Sequence, residues 1–237
     1  RDFPCRAEPL CLQWAPLLAH SGSALLYRPG RKPLLLVLGP ADYWHQAAPV
    51  PDGPWQRALD IRVIRQPADL RRHLPRAAKA LALLGDPSQW RGLDIGGRTN
   101  PRPLLTHLDY ERACKTSWEV HCIKQATVQA LAGHRAVQTA FQAGLSEFEM
   151  GLMFLAACGQ TDAELPYPAI VAMNRNAATL HYQHRDRERL PASERHSLLL
   201  DAGASFAGYA SDITRTHAAP RGEFATMLRD MARTQQR

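Results

Sequence analysis

Cysteine is scarce and unpaired in this sequence. Cys5, Cys11, Cys114, Cys122 and Cys158 are odd in number, widely spaced and form no CxxC pair. That argues against a disulfide framework or a zinc knuckle and suits reduced thiols in a cytoplasmic protein. No run of about 18 apolar residues is present, so no membrane span is expected, and no charged-then-apolar leader opens the chain. Stacking aromatics are also few, at 7%. The net charge of +7 is scattered rather than gathered on a helix face or tail. Its densest points are Arg71–Arg72 and the stretch Arg185 to Arg189, which Asp186 and Glu188 balance. That pattern describes a solvated surface, and nucleic-acid binding is not expected. The chain opens on Arg1 rather than methionine and stops in the helical-looking "MARTQQR", so both ends read as cut.

What is present is enough for a substantial core: 237 residues, 45% of them hydrophobic, sufficient for one large domain or two modest ones. Up to about residue 108, short apolar runs such as "SALLY", "LLLVLGP" and "DIRVI" alternate with Pro and Gly punctuation. This texture predicts a small α/β domain over 1–108, with one helix around Ala68 to Ala80. From Tyr110 the breakers vanish. Val120, Ile123, Ala126 or Thr127, Ala130, Leu131, His134 and Val137 recur at helical spacing and predict a long amphipathic helix ending near Gly144. A second helix follows in "SEFEMGLMFLAACG", where Ser146 and Glu149 form a capping-box pattern and Gly159 suits a C-cap. The second domain is therefore expected over 109–237, and the fold class is α/β (α+β).

The stretch "LLLDAGASFAGYASDITRT" reads as two short apolar strands joined by a turn, yet it carries Asp201 and Asp212. With the tip at Phe206 and Ala207, between Gly203 and Gly208, the two aspartates would stand directly opposite one another, their Cβ atoms about 5 Å apart. Facing carboxylates repel. In an apolar setting they need a shared proton or a cation, and two metal ions about 3.5–4 Å apart would suit such a pair. Edge strands with both side chains in water are the plain alternative.

These residues carry a family resemblance. The segment from "IVAMNRNAATLHYQ" to "SDITRT" strongly resembles the proline dipeptidases (Xaa-Pro dipeptidases, bacterial prolidases) of the pita-bread metallopeptidase superfamily, M24. "YWHQAAPVPDGPW" and the helical stretch from "KTSWEV" to "SEFEMGL" are similar to the amino-terminal domain and the first catalytic-domain helices of the same proteins. The resemblance implies a small amino-terminal α/β domain followed by an incomplete pita-bread catalytic domain. It implies that Asp201 and Asp212 are ligands of a two-metal site, usually manganese, with two Mn2+ per subunit in a complete enzyme. His181 of "LHY" would be a catalytic residue on the substrate side, where composition alone favours a satisfied core histidine. Tyr167 of "LPYPAIV" would line the substrate pocket, with core packing the alternative. Thr214, two residues after Asp212 on one strand face, would support the metal carboxylates by hydrogen bonding.

The family's metal-binding histidine, two metal-binding glutamates and proline-carboxylate arginine match no position here, and His217 and Glu223 do not fit their motifs. Two functions are therefore expected from different classes. One is an Xaa-Pro dipeptidase, homodimeric and cytoplasmic in its complete form, with these 237 residues inactive alone. The other is a shortened, non-catalytic binding or dimerisation module. Creatinase-like chemistry is disfavoured by the metal aspartates.

Overall fold

The structure is a computed structural model that describes residues 8–39, 49–50, 52–75, 81–219 and 222–236. Cys5, most of "YWHQAAPVPDGPW" and the end of the helix expected to reach Ala80 lie outside these residues. The chain divides into two compact units, Arg1–Thr116 and Ser117–Arg237.

In the first unit a one-turn helix α1 (Pro9–Leu12) precedes strands β1 (Ala24–Leu26), β2 (Leu34–Leu38) and β3 (Asp60–Ile64), which form one sheet in that order. β1 runs antiparallel to β2, and β2 parallel to β3. The unbroken apolar run of β2 is explained by burial on both sides, as parallel pairing favours. Leu35 and Val37 pack with Ala15 and Leu59 on one face, and Leu36 packs with Ile64 and Leu70 on the other. A second pair, β4 (Ala82–Leu83) and β5 (Arg98–Thr99), is parallel.

One expectation needs correction here. Where a helix was expected from Ala68, a 3-10 helix spans only Pro67–Arg72, because Pro75 lacks the N–H a continuing helix needs and restricts the residue before it. Residue 108 lies inside α2 (Arg102–Ala113). That helix starts on Pro101 and Pro103, and proline is tolerated in a first turn where N–H groups have no helical acceptor.

The second unit opens with α3 (Ser117–Ala143) and α4 (Glu147–Cys158), packed together. The buried stripe of α3 runs from Glu119 through Cys122, Ala126, Ala130, Gly133, His134 and Val137 to Ala140 and Phe141. It is narrower than the predicted face, since Val120 and Leu131 are exposed. Small residues win because α4 approaches closely: a Cβ on Gly133 would lie 2.5 Å from the Phe154 ring. The Ser146–Glu149 capping box forms as predicted, and Gly159 ends α4 in the left-handed conformation at φ 71°.

Behind the helices lies a sheet of β6 (Ile170–Met173), β7 (Ser197–Asp201) and β10 (Thr214–Ala218), ordered β10-β7-β6 and antiparallel throughout. Leu198 and Leu200 of β7 join Val171 and Met173 in the helix-side core, so Leu199 and Asp201 face the other way. The link from β7 to β10 is a small hairpin, β8 (Ser205–Phe206) and β9 (Tyr209–Ala210), and α5 (Glu223–Gln235) follows β10.

The hairpin tip is Ala207–Gly208, one residue later than expected. Both central residues have positive φ, 50° and 83°, as a two-residue hairpin turn of the primed type requires. The earlier register would force that conformation on Phe206, and a bulky residue resists it. Asp201 is consequently paired with Thr214, not with Asp212. The bonds from Ala202 N to Ile213 O and from Ser211 N to Ala204 O leave Asp212 across from Gly203. A Cβ on Gly203 would lie 1.9 Å from the Ser211 carbonyl oxygen. Gly203→Ala is expected to destabilise the protein by more than about 2 kcal/mol, a value reserved for severe local conflicts. Chemical denaturation checks this, and a loss below about 0.5 kcal/mol would show that the hairpin yields easily.

Candidate metal centre

The one-residue shift changes how the two aspartates meet without separating them. They are diagonal neighbours rather than direct partners, on the sheet face turned away from α3 and α4. Asp201 ends the central strand, flanked by Ile170 and Thr214. Asp212 is exposed, and Asp201 is half-buried.

Tyr167, which enters just before β6, places its hydroxyl 2.9 Å from Asp201 Oδ1 and 3.0 Å from Asp212 Oδ1. Two carboxylate oxygens that both touch one atom are separated by less than about 6 Å, within reach of diagonal ladder neighbours. The phenol has a single proton, so it donates to one carboxylate at a time. Burial, the two hydrogen bonds and the two negative charges all push its pKa well above the ordinary tyrosine value. Tyr167 therefore stays protonated and serves as a donor at neutral pH. One donor for two carboxylates leaves most of their acceptor capacity unmet by the protein. An all-oxygen donor set of this kind fits a hard divalent cation.

The hairpin is held from behind by α3. His134 Nε2 lies 3.0 Å from the carbonyl of Ala202, the residue after Asp201. A carbonyl only accepts, so Nε2 carries the proton. Burial, the largest cause, holds the pKa of this imidazole below its usual value. Ser211, the residue before Asp212, donates from Oγ to the Ala126 carbonyl and accepts from Ala204 N. Tyr209 donates to Glu119 at 3.1 Å. Sequence reasoning missed His134 as a support, because a histidine in an apolar helical stripe is indistinguishable there from a core residue.

Thr214 stands opposite Asp201 as its ladder partner, but its hydroxyl bonds neither carboxylate. His181 is exposed in the turn after the 3-10 helix Asn174–Ala178, and its side chain makes no hydrogen bond to Tyr167 or to either aspartate. The next residue, Tyr182, is buried and donates to Glu147 at 2.7 Å. Glu147 was not legible as part of a site, and Tyr182 stood out in the sequence only as the partner of His181 in the His-Tyr pair of "LHY". Among the described residues no group of three or more His, Cys, Asp and Glu side chains is placed to hold a metal ion, so the site is a two-carboxylate arrangement.

Comparison with known proteins bears directly on this geometry. The family model "Xaa-Pro dipeptidase, N-terminal domain" matches residues 1–110, and "Metallopeptidase family M24" matches 121–236, the part holding Tyr167, His181 and both aspartates. The chain belongs to metallopeptidase family M24. This M24 chain is 42% identical over 236 residues to the Xaa-Pro dipeptidase of Aeromonas hydrophila, covering 100% of the chain and 54% of the relative. It is 41% identical over 229 residues to that of Xanthomonas oryzae pv. oryzae, covering 96% and 51%. It thus spans about half the length of the curated relatives it matches. Among solved structures, zinc-substituted Escherichia coli aminopeptidase P in complex with product shares its fold, with TM-score 0.67 and 16% identity over 92% of this chain and 54% of that one. The prolidase from Pyrococcus horikoshii does likewise, with TM-score 0.64 and 16% identity over 94% and 62%. Among the described residues, no helix of this M24 chain is long and apolar enough to cross a membrane.

The raised phenols give a test. Tyr182 is also shifted upward, by burial first and then by its bond to Glu147. A folded-state pKa above the unfolded value means that the stabilisation is complete below about pH 10, the ordinary tyrosine value, and is lost as pH rises further. In an alkaline titration of the metal-free protein followed by tyrosinate absorbance, Tyr167 and Tyr182 should ionise late, together with unfolding. Tyr167→Phe and Tyr182→Phe should each remove part of that late component. Their full ionisation near pH 10 with the fold intact would contradict the hydrogen bonding described.

Proposed function

We propose that this sequence contributes to the metal-dependent hydrolysis of Xaa-Pro dipeptides, with Asp201 and Asp212 as metal ligands. The observation that supports this best is the convergence of both carboxylates on the Tyr167 hydroxyl, in a chain of the M24 family. The metal is Mn2+, two ions per subunit in the complete enzyme. When bound, such ions lower the pKa of a coordinated water and polarise the scissile carbonyl.

The chain's own residues do the rest. Asp201 and Asp212 hold the cations on the open face of the sheet. Tyr167, whose hydroxyl reaches both carboxylates, lines the substrate pocket. Thr214, beside Asp201 on the same face, comes within reach of a ligated carboxylate as a further donor. His181, solvent-facing, acts on the substrate side near the reacting carbonyl. A bond to proline is a tertiary amide, so selection depends on pocket shape and on capture of the free carboxylate by a cation. The complete protein works as a cytoplasmic homodimer, consistent with free thiols at Cys11, Cys114, Cys122 and Cys158. A second reading, a non-catalytic binding or dimerisation module, is favoured by one observation: the described residues gather only two metal-capable carboxylates at the site.

Manganese-dependent release of proline from Gly-Pro or Leu-Pro separates these readings. The intact protein that carries this sequence should release proline, and Asp212→Asn should cost at least about a hundredfold, as expected when reacting groups shift by 1 Å. The 237 residues alone should release none. Absence of turnover by the intact protein would favour the module. Turnover unaffected by Asp212→Asn would remove the aspartate pair from the reaction.

A further inference from the structure

The first residue of α4, Glu147, has a fully buried side chain, and every bond it accepts there comes from one segment. Its Oε1 accepts from Met173 N at 2.5 Å and Asn176 Nδ2 at 3.0 Å. Its Oε2 accepts from Tyr182 Oη at 2.7 Å and Asp186 N at 2.8 Å. These donors span the start, middle and end of residues 173–186. Asn176 Nδ2 also lies 3.0 Å from both Tyr182 Oη and Asp186 Oδ2, which closes the cluster.

A buried carboxylate is costly unless its lone pairs are filled, and apolar packing would hold a surface segment at least as well. Helix capping does not account for it, because Ser146 and Glu149 already cap α4. What the cluster supplies is definition. It fixes a fourteen-residue stretch at four points, and His181 and Gln183 flank the anchored Tyr182 outside the cluster, His181 being the one with an imidazole to position. Buried Tyr182 and exposed His181 are adjacent, so locking the one sets the backbone from which the other projects.

We propose that Glu147 and Tyr182 are positioning residues for His181: the buried carboxylate, acting through the Tyr182 hydroxyl, sets where that imidazole stands. This rests on the substrate-side role of His181 given above. A purely structural cluster would act on stability and leave the action of His181 untouched.

The test is a double-mutant cycle in the intact protein that carries this sequence. Tyr182→Phe keeps the ring and removes only the hydroxyl, so it folds where Glu147→Gln, which puts an amide N–H against donor N–H groups, is expected to fold poorly. Tyr182→Phe should lower kcat on an Xaa-Pro dipeptide about tenfold or more, the scale of a small misplacement of a reacting group, with KM and manganese content unchanged. Hydrogen exchange should show faster exchange of the Asp186 amide. In a His181→Ala background the same change should alter kcat by no more than about twofold, the limit of additivity error. An equal loss in both backgrounds, or full activity of Tyr182→Phe, would overturn the positioning role. Parental turnover by His181→Ala would overturn the reading of His181 itself, and this proposal with it.

Discussion

The structure of the second unit turns on one shared hydrogen-bond donor. The Tyr167 hydroxyl touches Asp201 and Asp212 together. Two carboxylates on the same strand face repel unless a proton or cation lies between them. Everything around the pair serves to keep it close. The Ala207–Gly208 turn sets the register, Gly203 lets the strands cross tightly, and His134, Ser211 and Tyr209 tie the hairpin to α3. The helix layer thus backs the sheet, and the carboxylates project from the sheet's far side.

A division of labour follows from burial. The helix-side face of the sheet carries Val171, Met173, Leu198 and Leu200, fully or nearly dry, and supplies stability. The other face carries Ile170, Ala172 and Leu199 near Tyr182, then opens toward Asp201, Asp212 and exposed Thr214. Strand alternation of period two allows one short strand, β7, to serve both. The buried Glu147 cluster performs for residues 173–186 what α3 performs for the hairpin: in each case polar bonds fix a segment that carries an exposed polar side chain, His181 in the one and Asp212 in the other.

Much of this was legible in the sequence, and the exceptions have physical causes. Ser146, Glu149 and Gly159 mark α4 because capping chemistry is local. Asp201, Asp212 and Tyr167 could be singled out because carboxylates in apolar strands are anomalous and because their spacing resembles that of the prolidases. The hairpin tip was misread by one residue, since whether alanine or phenylalanine takes positive φ depends on the whole ladder. The α3 stripe was drawn too wide, because periodicity gives a direction but not how near a neighbouring helix comes, and Gly133 against Phe154 decides that. Glu147 gave no signal, because its four partners lie between 26 and 39 residues away. A 3-10 helix took the place of the helix expected from Ala68, a case of proline overriding helical composition.

On the proposed function, the space now held by the Tyr167 hydroxyl between Asp201 and Asp212 is a metal position. Anomalous diffraction at the manganese edge, from crystals of the intact protein grown with Mn2+, addresses it directly. Two anomalous peaks are expected in contact with the Asp201 and Asp212 carboxylates, with the Tyr167 hydroxyl displaced from at least one of them. Peaks elsewhere, or none, with the hydroxyl still bridging both carboxylates at saturating Mn2+, would contradict it.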